Sequence, residues 1–414
     1  MNIGFIATRL HGTDGVTLEV EKWAKVLENL GHEVYFCAGE LGGYAKNGTL
    51  IPELHFTDQT AYALSQRAFD NEAETDGDEL ADQIYKRADE MRAPLRSFIR
   101  SNHLDLIVVQ NALTIPMNLP LGVSLTGLIA ELGINTIAHH HDFFWERQRY
   151  QTNAILDLLD TAFPAKLPNI QHVTINSIAK ARLNARRGID STVIPNVLDF
   201  ATPPPKVDDY NKDLRASLGL SEDDLFILQP TRVVQRKGIE MAIEIVKQLD
   251  LPNPTLYISH RSDDEGLSYW RWLTREASLM GVNINLVDHA ISSQRAKVND
   301  HKIYSLWDAY IHSDLITYPS IYEGFGNALL EAVYFKKLAI INRYPVYNAD
   351  IKPKGFEFIE LDGFVNGTTV QEIKELLNSP DLVHEMTEKN YQIALENYSL
   401  QVLEDRLKEL IANF

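Results

Sequence analysis

Short apolar runs alternate along this chain with segments in which apolar residues recur every three or four positions. Residues 3–7 and 34–38 are typical of buried strands, and the segment between them has helical spacing and ends at Gly31. A strand–helix–strand unit predicts parallel strands joined by a right-handed crossover. Residues 104–109 and 135–138 have the same apolar character, and we expect two further strands there.

The pattern restarts after a proline-rich segment at residues 201–206, which is typical of a linker. A strand at 226–228, a polar loop at 230–238 and a helix over 239–249 then repeat the opening order. Further strands are expected at residues 256–258, 283–287, 315–318 and 338–341.

Two α/β domains of similar size, with a cleft between them, account for this repetition. We assign residues 1–200 to an N-terminal Rossmann-like domain and residues 201–390 to a C-terminal one. Residues 391–414 are expected to form a C-terminal helix that packs back toward the N-terminal domain. The length of 414 residues suits two or three domains, since a domain has roughly 150 residues.

The net charge of the chain limits the classes of ligand that it can bind. It carries 39 basic and 57 acidic side chains, a net charge of −18, and a surface this negative repels phosphate backbones. We therefore expect no nucleic-acid binding, and a phosphate-bearing ligand would need a local basic pocket.

Cysteine usage and the first residues predict a cytoplasmic protein. The single cysteine, Cys37, cannot form an internal disulfide, and the start has no basic segment leading into an apolar core. Peripheral membrane contact is not expected, although one stretch of arginines would suit an anionic lipid surface: Arg87, Arg92, Arg96 and Arg100.

The most informative segment is residues 318–332, where a strand ends, a glycine-rich loop follows and a helix starts near Asn327. Backbone N–H groups at such a helix start attract phosphate. Glu323 precedes the loop glycines and Glu331 lies about one turn into the helix. Each glutamate alone would suit an ordinary loop or helix-dipole role, but the pair flanking the loop favours binding of vicinal sugar hydroxyls.

These residues resemble the signature of the retaining glycosyltransferases of family 4, Pro-Ser-x-Tyr-Glu-Gly-Phe-Gly followed by a second glutamate. That family has the GT-B architecture, an α/β fold of two facing Rossmann-like domains with a deep interdomain cleft. The resemblance implies that Glu323 contacts hydroxyls of the transferred sugar and that Glu331 holds the nucleotide ribose. It also implies that the loop and helix start bind the nucleotide sugar through Gly324, Phe325, Gly326 and Asn327.

A second resemblance lies in the polar loop, where Arg232, Arg236 and Lys237 make a local positive site in an acidic chain. Fixed cations can stabilise the charge that develops on a leaving diphosphate, as a metal would. On charge alone, an exposed basic loop without a ligand is an equal alternative. The family supplies an arginine and a lysine to the donor diphosphate here, which match Arg232 and Lys237, whereas Arg236 is not carried over.

Three adjacent histidines, His139, His140 and His141, follow the predicted strand at 135–138. Neighbours on an extended chain point to alternate faces, and no CxxC or HExxH motif is present, so no metal site is expected. In the family, a His-Asp step at this place lines the cleft and the histidine meets the donor sugar. His141 is the matching residue, with His140 as the alternative, and Asp142 would orient an imidazole or the acceptor, or support the core.

The loop at residues 12–15 resembles the family's first glycine loop, which brings backbone near the donor phosphates and the acceptor. Its usual Gly-Gly is Asp14-Gly15 here, and Gly15 is carried over as a donor-binding residue. A dehydrogenase would prefer G-x-G-x-x-G, which this loop lacks. Residues 195–199 resemble the interdomain hinge of the family without its glycine.

We therefore expect a retaining hexosyltransferase that moves glucose or mannose from a UDP-, GDP- or ADP-linked sugar to a hydroxyl acceptor. The acceptor is expected to be a small soluble molecule or an oligosaccharide, and neither a cofactor nor a metal is expected. The residues expected to be catalytic are His141, Arg232, Lys237 and Glu323.

Other functions remain open at this stage. A GT-B-type glycoside phosphorylase and a non-hydrolysing sugar-nucleotide epimerase are alternative enzymes, and a non-catalytic nucleotide-sugar-binding protein is an alternative of another class. The sequence leaves open the nucleobase, the hexose, the acceptor and the oligomeric state.

Overall fold

The chain passes twice between two compact units. The computed structural model describes residues 1–12, 14–43, 47–69, 76–261 and 267–414. Unit 1 consists of Met1–Val197 and Leu400–Phe414, and unit 2 of Leu198–Ser399. The predicted terminal segment 391–414 begins inside unit 2, and its part from Leu400 onward belongs to unit 1.

Unit 1 contains a seven-stranded parallel sheet. Its strands are β1 (Asn2–Ala7), β2 (Glu33–Ala38), β3 (Gly48–Leu50), β4 (Leu106–Gln110), β5 (Asn135–His140), β6 (Ile170–Thr174) and β7 (Thr192–Val193). Its helices are α1 (Gly15–Asn29), α2 (Gln59–Phe69), α3 (Gly77–Ser101), α4 (Leu119–Leu132), α5 (Leu156–Ala162) and α6 (Ser177–Arg187). The strand order is β3–β2–β1–β4–β5–β6–β7, so the strands expected at 3–7, 34–38, 104–109 and 135–138 are confirmed as β1, β2, β4 and β5.

The helix α3 is predicted only at its start: the acidic stretch from Asp70 to Asp82 is typical of a solvated loop followed by a helix start, and residues 70–75 of that stretch lie outside the described residues. The buried residues of the helix recur at helical spacing, from Leu80 and Ile84 onward, although Pro94 lies inside it and lacks the N–H that would bond to the preceding turn. Three of the arginines that would suit a lipid surface lie on this helix in ion pairs within unit 1: Arg87 with Asp58 and Glu90, Arg92 with Asp89, and Arg96 with Glu131. The charge that this stretch offers to a membrane is therefore largely neutralised.

Unit 2 repeats the plan with a six-stranded parallel sheet. Its strands in that sheet are β8 (Ile227–Arg232), β9 (Thr255–His260), β10 (Asn283–Leu286), β14 (Leu315–Tyr318), β15 (Leu338–Asn342) and β16 (Ile359–Leu361). They lie in the order β10–β9–β8–β14–β15–β16, which confirms the strands expected at 226–228, 256–258, 283–287, 315–318 and 338–341. A small extra sheet, which the pattern did not predict, is formed by β11 (Ile291–Ser292), β12 (Ala296–Val298) and β13 (His301–Ser305).

The remaining helices complete the two units. In unit 2 they are α7 (Leu214–Ser217), α8 (Ile239–Gln248), α9 (Leu267–Met280), α10 (Leu306–His312), α11 (Asn327–Tyr334), α12 (Gly367–Leu377) and α13 (Pro380–Tyr398). The last helix, α14 (Leu400–Ala412), belongs to unit 1, where Leu403, Leu407 and Leu410 join the core formed by β1, α1 and β2.

The parallel sheets place the candidate residues. All strands of one parallel sheet end at the same edge, and ligands of such sheets bind in the loops outside those carboxyl ends. The loops after β1, β4 and β5 share that edge in unit 1, and the loops after β8 and β14 share it in unit 2. Within the described part of the chain, no helix is long and apolar enough to cross a membrane.

Candidate active site

The glycine-rich loop between β14 and α11 has a backbone that requires glycine at its end. Gly326 caps α11 with a φ of +130°, and a Cβ there would lie 2.6 Å from the hydroxyl oxygen of Tyr344. That hydroxyl donates a hydrogen bond to the carbonyl oxygen of Phe325 over 2.8 Å and thereby holds the loop backbone in place. The helix start therefore lies, as predicted, at Asn327, with its first N–H groups at the carboxyl edge of the sheet.

Phe325 contributes differently from its neighbours. Its side chain is buried and packs edge-on against Tyr398, with 5.2 Å between the ring centroids. Only its backbone is therefore available to a ligand, whereas Gly324 and Asn327 are partly exposed.

Glu323 is a buried carboxylate held between two cations. It is 6% exposed; Lys237 donates to Oε1, and Arg236 donates to Oε2 over 2.8 Å. Burial alone would raise the pKa of Glu323, but the charges of Lys237 and Arg236 outweigh burial and hold the pKa below its ordinary value. Glu323 is therefore ionised at neutral pH and fixed in one orientation.

The basic turn and the glycine-rich loop are in direct contact. Lys237 ends a 3₁₀ turn that follows β8, and Gly238 comes next with a φ of +60°. A Cβ on Gly238 would lie 2.3 Å from the carbonyl oxygen of Pro319, so only glycine lets the two segments approach this closely. The N–H of Ile321 also donates to the carbonyl of Arg236 over 2.8 Å.

Arg232 and Glu331 lie in the same unit but have different surroundings. Arg232 is the last residue of β8 and has an exposed side chain. The pKa of His260, on the neighbouring strand, is lowered mainly by the burial of His260 and further by the charge of Arg232. Glu331 lies on α11 beside the buried Tyr310, whose pKa is raised by burial and further by the Glu331 carboxylate. Thus the structure joins Lys237 to Glu323 directly. Arg232 is close enough to Lys237 for its charge to contribute to the lowered pKa of Lys237, after burial, whereas Glu331 has Tyr310 as its neighbour.

Arg236 is the residue of this site that the sequence did not assign. The family motif has no residue that clearly matches Arg236. Its charge alone does not distinguish an exposed loop residue from a partner of Glu323. The ion pair with Glu323 becomes apparent only when the loops after β8 and β14 are brought together.

In unit 1, His141 lies just beyond the end of β5 and is held by the end of β4. The N–H of His141 donates to the amide oxygen of Asn111 over 2.8 Å, and Nε2 lies 3.1 Å from the amide oxygen of Gln110. Burial lowers the pKa of His141 to about 4, so its imidazole is neutral at pH 7. In the tautomer that has the hydrogen on Nε2, that nitrogen donates to the Gln110 oxygen and Nδ1 is an acceptor.

Gln110 and Asn111 were not predicted as site residues. A signal was present, since both directly follow the apolar run of β4, and neighbouring parallel strands end at the same edge. The order of the strands, which places β4 next to β5, could not be read from the chain.

The other two histidines are interior residues. His140 has both ring nitrogens engaged, Nδ1 with Thr114 at 2.8 Å and Nε2 with His172 at 2.9 Å. His139 is buried and stacks on Trp23 with 4.4 Å between the ring centroids. His140, the alternative to His141, therefore serves the core of unit 1.

Asp142 and the first loop complete this edge of unit 1. The Asp142 carboxylate accepts from Arg147 Nε over 2.6 Å and from the amide of Asn111 over 3.3 Å. Asp14 caps α1 by accepting from the N–H groups of Val16 and Thr17 at 3.1 and 3.2 Å, so a carboxylate already occupies the helix start where an anion would bind.

Gly15 is the first residue of α1 and is exposed, and Thr13 of the same loop lies outside the described residues. The neighbouring Asp14 is close enough to His141 to influence the imidazole charge. The loop and the histidine thus lie at one edge of unit 1. Among the residues that the structure describes, no group of three or more His, Cys, Asp or Glu side chains is placed to hold a metal ion.

Comparison with known proteins gives two relatives that match most of the chain. Both are named mannosylglucosylglycerate synthase. The one from Petrotoga mobilis is 36% identical over an alignment of 381 positions, which covers 87% of this chain and 86% of that protein. The one from Thermotoga maritima is 33% identical, and the match covers 98% of this chain and 99% of that protein. No family model matches the chain.

Solved glycosyltransferases share the fold. A glycosyltransferase from Rickettsia africae has a TM-score of 0.68 at 14% identity and covers 99% of this chain and 97% of its own. HepE from Anabaena, solved in complex with UDP, has a TM-score of 0.67 at 14% identity over the whole of both chains. These neighbours have the GT-B fold, which confirms the predicted fold class of two parallel-sheet α/β domains.

Proposed function

Because this chain belongs to the group 1 glycosyltransferases of the GT-B fold (glycosyltransferase family 4), we propose that it transfers mannose from a nucleotide diphosphate sugar to glucosylglycerate, with retention at the anomeric carbon. The observation that carries this proposal is the relation to a mannosylglucosylglycerate synthase that is 33% identical and spans 98% of the chain. The name of that protein describes a mannosyl, a glucosyl and a glyceryl group in one product. Addition of the outer sugar is the step that suits a hexosyltransferase.

The donor is assigned to unit 2 on the chemistry of its loops. Lys237 and Arg232 supply positive charge after β8, and the N–H groups at the start of α11 suit a phosphate. Charge develops on the diphosphate as the glycosidic bond breaks, and fixed cations stabilise that charge without a metal ion. Glu331 on α11 would accept from the ribose hydroxyls, and Glu323 from hydroxyls of the transferred sugar.

His141 is assigned to the transferred sugar and not to acid–base chemistry. Its neutral imidazole has Nε2 engaged with Gln110, which leaves Nδ1 to accept a hydrogen bond from a sugar hydroxyl. Asp142, the neighbouring carboxylate, is engaged in an ion pair with Arg147. Without a general base for the acceptor, a front-face displacement in which the leaving phosphate takes the acceptor proton is the preferred mechanism.

Product analysis tests the proposal. The protein is first screened by thermal shift with UDP, GDP and ADP, since a ligand at a hundred times its Kd adds about 2.7 kcal/mol to the free energy of unfolding. It is then incubated with the matching mannose nucleotide and glucosylglycerate, with Lys237→Ala as the inactive control. We expect a product heavier by one hexose, with an α linkage from an α-linked donor by NMR.

Three outcomes would contradict the proposal. A β linkage from an α-linked donor would refute retention. Turnover that needs inorganic phosphate in place of a nucleotide would indicate a phosphorylase, and conversion of the donor without any acceptor would indicate an epimerase.

A further inference from the structure

A cavity of about 490 Å³ lies in unit 1 beside the loop that follows His141 and Asp142. This volume is within the usual range for small-molecule sites. Its lining includes the aromatic residues Trp145 and Tyr150, the amides Gln151 and Asn153, and the charged residues Asp160 and Arg186. None of these residues has a place in the donor chemistry described above.

Arg186, which lines this cavity, differs from most arginines of this region, and so does Arg149, which precedes the lining residue Tyr150 in the chain. Arg147, Arg182 and Arg187 each form an ion pair with a carboxylate of unit 1. Arg149 and Arg186 instead lie over aromatic rings, with the guanidinium carbon 4.6 Å from the centroid of Tyr150 and 5.5 Å from that of Trp145, respectively.

Both of these arginines are exposed, and neither has a carboxylate partner among the described residues. In a chain with a net charge of −18, Arg186 gives the lining of this cavity a positive charge of the kind that an anionic ligand requires, whereas the other lining arginine, Arg187, is paired with Asp160.

The lining suits a sugar that carries an anion. Aromatic rings offer an apolar face to the C–H side of a pyranose, and amides exchange hydrogen bonds with its hydroxyls. A guanidinium stacked on a ring keeps its in-plane N–H groups for a bidentate bond to a carboxylate or phosphate. Stacking also orients the guanidinium before the ligand arrives, which reduces the entropy lost on binding.

We propose that this cavity holds the anionic end of the acceptor, with Arg186 on the carboxylate and Trp145 against the sugar. The inference rests on the proposed function, because the acceptor named there ends in a glycerate carboxylate. The loop that supplies Trp145 to the cavity also carries the predicted site residues: Arg147, two residues after Trp145, is bonded to Asp142, the residue after His141. Acceptor binding is thereby assigned to the loop that carries the sugar-contacting histidine.

Kinetics with Arg186→Gln test the site. We expect the KM for glucosylglycerate to rise about tenfold or more, because a charge-assisted hydrogen bond is lost, while the KM for the donor is unchanged. Arg186→Lys should restore part of the affinity, since it keeps the charge without the planar fork. Arg100→Gln, which removes an exposed charge of unit 1 outside this cavity, is the matched control and should leave both constants unchanged.

Acceptor analogues show whether the effect depends on the negative charge. With glucosylglycerol, a neutral analogue, wild type and Arg186→Gln should have the same KM. With glucosyl-3-phosphoglycerate, Arg186→Gln should again have a higher KM than the wild type. If the wild type turns over that compound better than glucosylglycerate, the acceptor is the phosphorylated one. An equal rise in KM for the neutral analogue would mean that the substitution perturbs the cavity independently of the negative charge and would overturn the assignment of Arg186 to the anion.

Binding without turnover separates this inference from the proposed function. Saturation-transfer NMR with glucosylglycerate and no donor should give a signal for the wild type that Arg186→Gln reduces. If the wild type makes product and Arg186→Gln has an unchanged KM, the cavity is not the acceptor site although the function stands. If no product forms but binding still depends on Arg186, the function is wrong and the anion site stands.

Discussion

At the scale of single residues, the most informative arrangement is one carboxylate between two cations. Glu323 is bonded to Lys237 and Arg236, and a diphosphate that takes Lys237 would leave Arg236 to keep Glu323 charged and oriented. We expect Lys237→Ala to lower kcat/KM by roughly 10²-fold or more and to weaken nucleoside diphosphate binding. Arg236→Gln should lower kcat while leaving that binding little changed.

Calorimetry with the nucleoside diphosphate alone distinguishes the two cations. Equal losses of nucleotide affinity in both variants would show that Arg236 is itself a phosphate ligand. Arg343→Gln, which removes an exposed cation of unit 2 that pairs with Glu360, serves as the control.

Glu331 gives a second prediction at this scale. If it accepts from the ribose, Glu331→Ala should weaken nucleotide binding by about 1–3 kcal/mol, because hydroxyl partners are left unpaired. Glu375→Ala, on the exposed face of α12, is the matched control. Unchanged affinity in Glu331→Ala would remove this residue from the site.

The sequence located residues whose chemistry is carried by a local motif and missed those defined by contacts between loops. Glu323 and Lys237 stand in recognisable segments, and the structure brings them together. Arg236 and Gln110 act through residues more than twenty positions away, and nothing in their own segments indicates those partners. Arg186 at the cavity belongs to the same class, because its neighbour Trp145 lies on another element.

At the scale of elements, the adjacent strands β5 and β6 gather buried histidines that resist protonation. Burial lowers the pKa of His141 and of His172 to about 4, and the pKa values of His139 and His140 lie well below the ordinary value. An unfolded chain protonates these rings near pH 6.5, whereas the folded chain does not. Between pH 6.5 and 4 the unfolded state therefore binds more protons, and the free energy of unfolding falls as the pH falls.

We expect urea denaturation to show this slope, with up to about 1.4 kcal/mol per pH unit from each histidine. The pKa of the buried Glu19 is raised, so at this residue the folded state binds more protons than the unfolded state, which reduces the summed slope of the histidines. His172→Asn should lower the slope, and His384→Asn, on α13, should not change it. A free energy of unfolding that stays constant from pH 7 to pH 5 would contradict the low pKa values.

The elements themselves were predictable where their pattern was simple. Buried parallel strands such as β1 and β14 are apolar throughout, and turn residues bound them, so the chain shows them directly. The body of helix α3 was not predicted, although its buried residues recur at helical spacing on both sides of Pro94, a residue that normally ends a helix; its apolar face packs against α4. The strands β11 and β12 have two and three residues, too few for a period to be recognised.

At the scale of the whole molecule, the net charge is −18, yet three cations lie within six positions at Arg232, Arg236 and Lys237. Arg232 and Lys237 are expected to do the work that a divalent metal does in other transferases, so activity should survive EDTA. A discontinuous assay by mass spectrometry avoids coupling enzymes that need magnesium. Loss of activity in EDTA that added metal restores would contradict this account.

The order of the chain through the two units has a consequence for synthesis. Unit 2 is a continuous segment inserted into unit 1, and unit 1 is closed by α14, which adds Leu403, Leu407 and Leu410 to its core. A ribosome releases all of residues 198–399 before α14 appears. Unit 1 is thus the first to begin folding and the last to be completed, and until then the apolar face of α1 that packs against α14 lacks its cover.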